Sequence, residues 1–134
     1  MASRVAVRVP TATRFSSDSA RQPCWKLNAR FGRKDMAYAV QKTGRTGWYY
    51  RVLEPGQAEP GDTLDLVDRP HPDWLLTRLT RLLYRDTMAL DELAAMAELP
   101  ALAEGWRKLA RRRIEAGRTE DWSGRLGESP GPAI

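Results

Sequence analysis

The sequence of 134 residues contains only one cysteine and one histidine. A single cysteine excludes an internal disulfide and fits a reducing compartment, so we expect a cytoplasmic protein. The same scarcity excludes a structural zinc site built from this chain's cysteine and histidine alone, because such sites take about four ligands. Long apolar runs are also missing: none approaches the ~20 residues that cross a bilayer, so we expect no contact with a membrane.

Positive charge is in excess but unevenly distributed. The formal net charge is +5, and residues 107–118 alone carry six basic residues against one acidic residue. This basic patch leaves open a non-catalytic function, in which the helices would bind nucleic acid or a redox partner. A DNA-reading helix presents its N-terminal residues to the bases, whereas residues 101–104 are apolar or acidic, which argues against nucleic acid.

The first half of the chain carries the alternating pattern of short strands, interrupted by two helical segments. We predict strands at residues 3–9, 46–53 and 63–67 and helices at residues 23–31 and 35–42. The last two strands would form a hairpin with a long loop, in which Leu64 and Leu66 face inward, and residues 11–19 would be loop. The aromatics Trp48 and Tyr50 either pack in a core or stack on a purine or pterin.

The second half has helical periodicity after a stiff linker, since Pro70 and Pro72 rule out regular structure there. We predict helices at residues 73–84, 90–99 and 101–116, the first capped by Asp73 and the last ended by Gly117. Their apolar stripes are Leu75, Leu76, Leu79, Leu82 and Leu83; Leu90, Leu93, Ala94 and Ala97; and Leu102, Trp106, Leu109, Ala110 and Ile114. The fold class is therefore α+β, with a three-helix bundle at the C-terminal end.

The only cysteine, Cys24, follows a proline and has basic neighbours. A thiolate is a soft ligand that suits a redox metal, and a position at a helix start near Arg21 and Lys26 would favour the thiolate form. The alternative is a buried, inert thiol. Arg21, Lys26 and Arg45 could bind an anionic phosphate or substrate, or could be solvated surface charges. Residues 44–47 could bind an anion or simply end a helix.

Residues 21–28, Arg-Gln-Pro-Cys-Trp-Lys-Leu-Asn, resemble the cysteine motif of MOSC domains, the molybdenum cofactor sulfurase C-terminal family. Residues 44–49 resemble the strand that follows in the YiiM-like subgroup, and residues 52–56 resemble its hairpin. The helices resemble the three-alpha domain of the same subgroup. The resemblance divides the chain into an N-terminal segment that matches poorly (1–20), the C-terminal part of a MOSC β-barrel (21–69), a three-alpha domain (73–126) and a flexible tail (127–134).

The resemblance implies a partial barrel that holds a molybdenum cofactor (molybdopterin), with Cys24 as the catalytic residue and metal ligand. The cofactor-binding residues would be Arg21, Lys26 and Arg45. The implied activity is reduction of N-hydroxylated substrates such as hydroxylaminopurine, with electrons from a donor protein. Pyridoxal phosphate binding is a further family-level suggestion.

The resemblance also implies that this chain is N-terminally truncated, because the family carries the first half of the barrel before the cysteine. It leaves open whether the chain alone is an enzyme. A half barrel exposes strand edges at residues 3–9 and 46–53, so we also expect self-association.

Overall fold

The computed structural model describes residues 5–8 and 14–127 of the protein. Its described part is a small open sheet with helices, which confirms the predicted α+β class. The strands are β1 (Val5–Arg8), β2 (Arg14–Ala20), β3 (Trp48–Glu54) and β4 (Asp65–Asp68). The helices are α1 (Lys26–Phe31), α2 (Met36–Thr43), α3 (Leu76–Tyr84), α4 (Leu90–Ala97), α5 (Glu104–Ala116) and α6 (Ser123–Leu126).

The sheet contains a strand that the sequence pattern missed. Residues 14–19 were predicted as loop, but they lie in β2, which pairs antiparallel with β1 on one side and with β3 on the other. The segment is rich in serine and lacks apolar alternation, so its own residues give no strand signal. Ladder hydrogen bonds to both neighbours keep it extended, and its pairing with β3 shifts register between Ser16 and Ser19.

The predicted hairpin of β3 and β4 is wrong. The strand order is β3-β2-β1-β4, so β4 pairs with β1 at the opposite edge of the sheet. Residues 55–64 join the two strands. The crossing covers three strand spacings, about 14 Å, whereas ten extended residues reach roughly 33 Å. The long loop that we predicted as part of a hairpin therefore serves as a crossover.

The apolar side chains of β3 and β4 do not form a core. Every residue of both strands is exposed, and Leu64 and Leu66, which we expected to face inward, are 62% and 53% exposed. Trp48 and Tyr50 are also about half exposed and meet edge to face, with ring centroids 6.1 Å apart. Period-two alternation shows that a strand has two faces, but it does not show whether another layer covers either face.

The core lies among α3, α4 and α5. Five stripe residues are fully buried, as predicted: Leu79, Leu82, Leu83, Leu93 and Ala110. Met96, which was not predicted, is fully buried with them. Several positions predicted to face inward are instead exposed: Leu75, Leu90, Ala94 and Ile114. These helices have between two and four turns, and each buries a narrow stripe and leaves the flanking apolar positions in water.

Two predicted helix ends are confirmed and one predicted cap is wrong. Gly44 and Gly117 follow α2 and α5 in the left-handed conformation, with φ of 70° and 62°, which a residue without a Cβ adopts at little cost. The first helix of the bundle begins at Leu76, with Leu75 at the N-cap position, so Asp73 does not cap it.

Candidate functional site

Cys24 lies in a tight turn between the sheet and α1. The chain leaves β2 at Ala20, and α1 begins only at Lys26, so the predicted helix start at residue 23 is three residues too early. The Leu27 amide donates to the Cys24 carbonyl at 2.9 Å, which closes the turn. Cys24 is partly exposed, unlike the buried Pro23 before it. The alternative of a fully buried cysteine therefore does not hold.

The structure brings two of the predicted basic segments to the same end of the sheet. The pairing of β2 with β3 ends at Ala20 and Trp48, and beyond it the Arg21 amide donates to the Gly47 carbonyl at 3.0 Å. Arg45 lies two residues before Gly47, so its loop adjoins the segment that carries Cys24. The side chains of Arg21, Lys26 and Arg45 are all exposed.

The Gly44–Gly47 segment ends a helix. The Gly44 amide donates to the Gln41 carbonyl at 3.1 Å, and the Arg45 amide donates to the Thr43 hydroxyl at 3.1 Å. These two amides already have partners, which fits a helix stop leading into β3. Arg45 lines an open groove between the end of α2 and the start of the helical bundle, together with Arg81 and Arg85.

A residue that the sequence analysis did not select, Arg125, contacts both neighbours of Cys24. Its Nη1 donates to the Pro23 carbonyl at 2.5 Å, and its own carbonyl accepts from the Trp25 amide at 2.7 Å. Its Nη2 donates to the buried Gln41 Oε1 at 2.6 Å. Arg125 lies in α6, so α6 packs directly on the cysteine turn.

Two further contacts hold α6 against α1. Asn28 Nδ2 donates to the Leu126 carbonyl at 2.7 Å, and Asn28 Oδ1 accepts from the Ala37 amide at 2.7 Å, so one side chain joins α6, α1 and α2. Gly127 approaches so closely that a Cβ there would lie 2.9 Å from the Cβ of Trp25. The sequence offered one signal for this contact, Gly127 itself, but nothing in it names the partner.

Arg125 is partly withdrawn from water. Burial lowers its pKa, while Tyr84, Glu120 and Cys24 act in the opposite direction through their charges. Its guanidinium carbon lies 5.8 Å from the ring centre of Tyr84 and 5.9 Å from that of Trp122. Burial raises the pKa of Tyr84 to about 12, although Arg125 and Arg113 lower it in part. The cation therefore sits between two aromatic rings and the cysteine turn.

The ligands available for a metal are few. Among the residues that the structure describes, no three His, Cys, Asp or Glu side chains cluster closely enough to hold a metal ion. Cys24 would therefore be a lone protein ligand, and a single accessible thiolate suits a metal that brings its other ligands with it. An organic cofactor that carries its own metal fits these residues, whereas a site built wholly from protein side chains does not.

The basic patch of α5 is less available than its composition indicates. Arg107 and Arg111 both donate to the Ala97 carbonyl, at 3.1 and 3.0 Å, and both pair with Glu104. Arg113 is 2% exposed and pairs with Glu120 at 2.7 Å. Half of the six basic side chains in the patch therefore have intramolecular partners, which leaves less charge to attract nucleic acid.

These features define a class of protein: an α+β fold in which an open sheet is joined to a helical bundle, with the cysteine turn at their junction. Comparison with known families gives it a name. The MOSC domain model matches residues 3–65, and the model of the YiiM-like 3-alpha helix domain matches residues 74–117. The chain belongs to the YiiM-like MOSC proteins. The MOSC match begins ahead of the cysteine motif and takes in β1 and β2.

Individual relatives agree with the family models. The uncharacterized protein YflK of Bacillus subtilis is 41% identical over 65% of this chain, and a protein named Reductase from Gibberella moniliformis is 39% identical over 60%. The crystal structure of YiiM from Escherichia coli superposes with a TM-score of 0.83 at 27% identity, over 92% of this chain. The chain spans only 39%, 14% and 61% of these three proteins, respectively.

No helix in the described ranges is both long enough and apolar enough to cross a membrane.

Proposed function

We propose that this chain carries the cysteine-bearing part of a molybdenum-cofactor oxidoreductase that reduces N-hydroxylated substrates. The observation that supports the proposal is the partly exposed Cys24, in a turn that contacts from α6 hold on both sides. The MOSC match and the relative named Reductase support the same class. When bound, the cofactor would supply the two-electron chemistry that converts an N-hydroxyl group to an amine and water.

The chain's own residues would bind and orient. Cys24 would be the thiolate ligand and would anchor the metal beside the turn. The exposed cations Arg21, Lys26 and Arg45 would attract the anionic part of the cofactor or the substrate from the loops at the same end of the sheet. An electron-donor protein would supply the reducing equivalents. The location that we propose for the protein is the cytoplasm.

Metal analysis tests the proposal. The chain should be produced in a host that makes the molybdenum cofactor, purified without chelators, and analysed for molybdenum per chain. We expect stoichiometric molybdenum in the natural chain and loss of the metal in Cys24→Ser, because serine lacks a soft ligand. Ala29→Ser on the neighbouring α1 introduces the same hydroxyl at an exposed position and should retain the metal.

Two results would contradict the proposal. Metal that persists in Cys24→Ser would remove the cysteine from the coordination, and a metal-free natural chain would show that this chain does not bind the cofactor. Metal-free protein that binds nucleic acid with a steep dependence on salt would instead favour the non-catalytic function of the basic patch. If molybdenum is present, reduction of hydroxylaminopurine with a reduced dye as electron donor tests the substrate class.

A further inference from the structure

Arg125 is hydrogen-bonded to both residues that flank Cys24 in the sequence. The guanidinium donates to the Pro23 carbonyl, which belongs to the peptide bond that leads into Cys24. The Arg125 carbonyl accepts a hydrogen bond from the Trp25 amide. One residue, about a hundred positions downstream, therefore fixes the backbone on both sides of the thiol. Because the two bonds use different groups of Arg125, the turn is held by α6 as a whole and not by one flexible side chain.

The charge of Arg125 is not neutralised by its hydrogen-bond partners. Its side-chain acceptors are a backbone carbonyl and the amide oxygen of Gln41, both uncharged. Arg113, in contrast, donates two hydrogen bonds to the carboxylate of Glu120. A partly buried guanidinium with neutral partners projects more of its charge onto nearby groups than an exposed or ion-paired cation does.

The cations next to Cys24 in the sequence are in a different situation. Arg21 and Lys26 are both exposed, so water and salt screen them. The described contacts of the cysteine turn lead to Arg125 instead: its carbonyl accepts from Trp25, and the Asn28 side chain binds the next carbonyl of α6. The charge that the described contacts bring to the cysteine turn thus comes from α6.

We propose that Arg125 is a positioning residue for Cys24: it holds the cysteine turn from α6 and makes the surroundings of the thiol selective for anionic ligands. This inference rests on the proposed function in that the anionic ligand would be the cofactor or its substrate. It adds that α6, which follows the three-helix bundle, completes the cysteine site, because α6 supplies both the hydrogen bonds and the charge.

The test uses the single cysteine, which makes alkylation specific to Cys24 without further mutation. Rates of reaction with neutral iodoacetamide and anionic iodoacetate are measured by intact mass on the full chain without cofactor. The thiolate attacks both reagents and displaces iodide from each, so the ratio of their rates does not depend on how much of the thiol is ionised. The ratio therefore reports the local charge.

For Arg125→Gln, we expect the iodoacetate-to-iodoacetamide ratio to fall about three- to tenfold, as one lost charge near a partly exposed group would produce. Arg125→Lys keeps the charge, so its ratio should stay within about twofold of the natural chain. Both reagents should react faster with it, because lysine cannot make both guanidinium hydrogen bonds, to the Pro23 carbonyl and to Gln41 Oε1. Leu126→Ala is the matched structural control: it loosens α6 by removing a buried side chain, so both rates should rise and the ratio should stay constant.

Several outcomes would overturn the inference. An Arg125→Gln chain in which both rates rise equally would show that the arginine only packs. A ratio that falls in Arg21→Gln or Lys26→Gln, but not in Arg125→Gln, would assign the charge to the exposed neighbours. Alkylation needs no metal, so its result is separate from the molybdenum analysis, and either idea can fail while the other stands.

Discussion

Replacing Arg113 by methionine should unfold the helical part of this protein more readily than any nearby charge substitution. The guanidinium is 2% exposed and donates five hydrogen bonds. Two of them reach the carbonyls of Leu82 and Leu83, at 3.0 and 2.9 Å. These carbonyls belong to the last turn of α3, where no helical amide is available to them. Arg113 therefore satisfies the C-terminal end of α3 with a charged donor, which the helix dipole also favours.

The expected loss can be worked out from these contacts. Methionine fills much of the same volume, so the cavity contribution is small. The buried carbonyls of Leu82 and Leu83 lose their partners, at about 1–3 kcal/mol each, although water can reach part of the gap. Glu120 also loses its ion pair, and breaking a buried pair on one side costs about 3–5 kcal/mol. Because Glu120 stays 37% exposed, solvent screening reduces the cost of the broken pair to about 1–2 kcal/mol. With about 1 kcal/mol for each carbonyl, we expect a loss of about 3–4 kcal/mol in total.

Urea denaturation followed by tryptophan fluorescence measures this loss, because Trp74 and Trp106 belong to or pack against the helical core. Arg112→Met is the matched control: Arg112 is the preceding residue of α5 and is exposed, so its change should stay within about 0.5 kcal/mol. The double variant Arg113→Met, Glu120→Gln should recover part of the loss, since it removes the unpaired carboxylate.

The reasoning would be refuted if Arg113→Met cost less than about 1 kcal/mol, or as little as Arg112→Met. It would also be refuted if the double variant lost the sum of the two single losses, because the two residues would then act independently.

Two further predictions concern pH and association. Burial alone would raise the pKa of Glu120, but hydrogen bonds from Arg113 and Trp122 outweigh it and bring the pKa to about 2 from 4.5. The stabilisation from the Glu120 carboxylate is therefore complete above about pH 4.5 and is lost as the pH falls toward 2. The natural chain should be more stable than Glu120→Gln by about 1–2 kcal/mol at pH 6, after allowance for solvent screening, and the difference should close by about pH 2. A difference in the free energy of unfolding that persists at low pH would contradict this prediction. One of the two predicted strand edges is wrong: β1, within residues 3–9, pairs with both β2 and β4 and is an interior strand. We propose instead that the chain self-associates through β3 and β4, the edge strands of the described sheet. Light scattering should show growth in mass with concentration that Leu53→Lys on β3 reduces and Leu75→Lys, off the sheet, does not, and a monomer at every concentration would contradict this proposal.

The sequence by itself determined the local elements and the family. Helical periodicity located α3, α4 and α5, and glycines marked the ends of α2 and α5. Residues 21–28, followed in order by residues 44–49, residues 52–56 and the helices, indicated the MOSC family. These signals are readable because each depends on residues within one or two turns of one another. Cys24 was found for the same reason, since a motif is a local property.

The tertiary structure alone decided which segments meet. The sheet order placed β4 beside β1, and it made a strand of residues 14–20, which have no strand pattern of their own. A charged side chain such as Arg113 is rarely buried, and its burial here follows from the carbonyls that α3 leaves without helical partners. The pairing of Arg125 with the cysteine turn joins positions about a hundred residues apart. Periodicity and propensity carry no information over such separations, because the free energy of these contacts depends on groups that only the folded chain brings together.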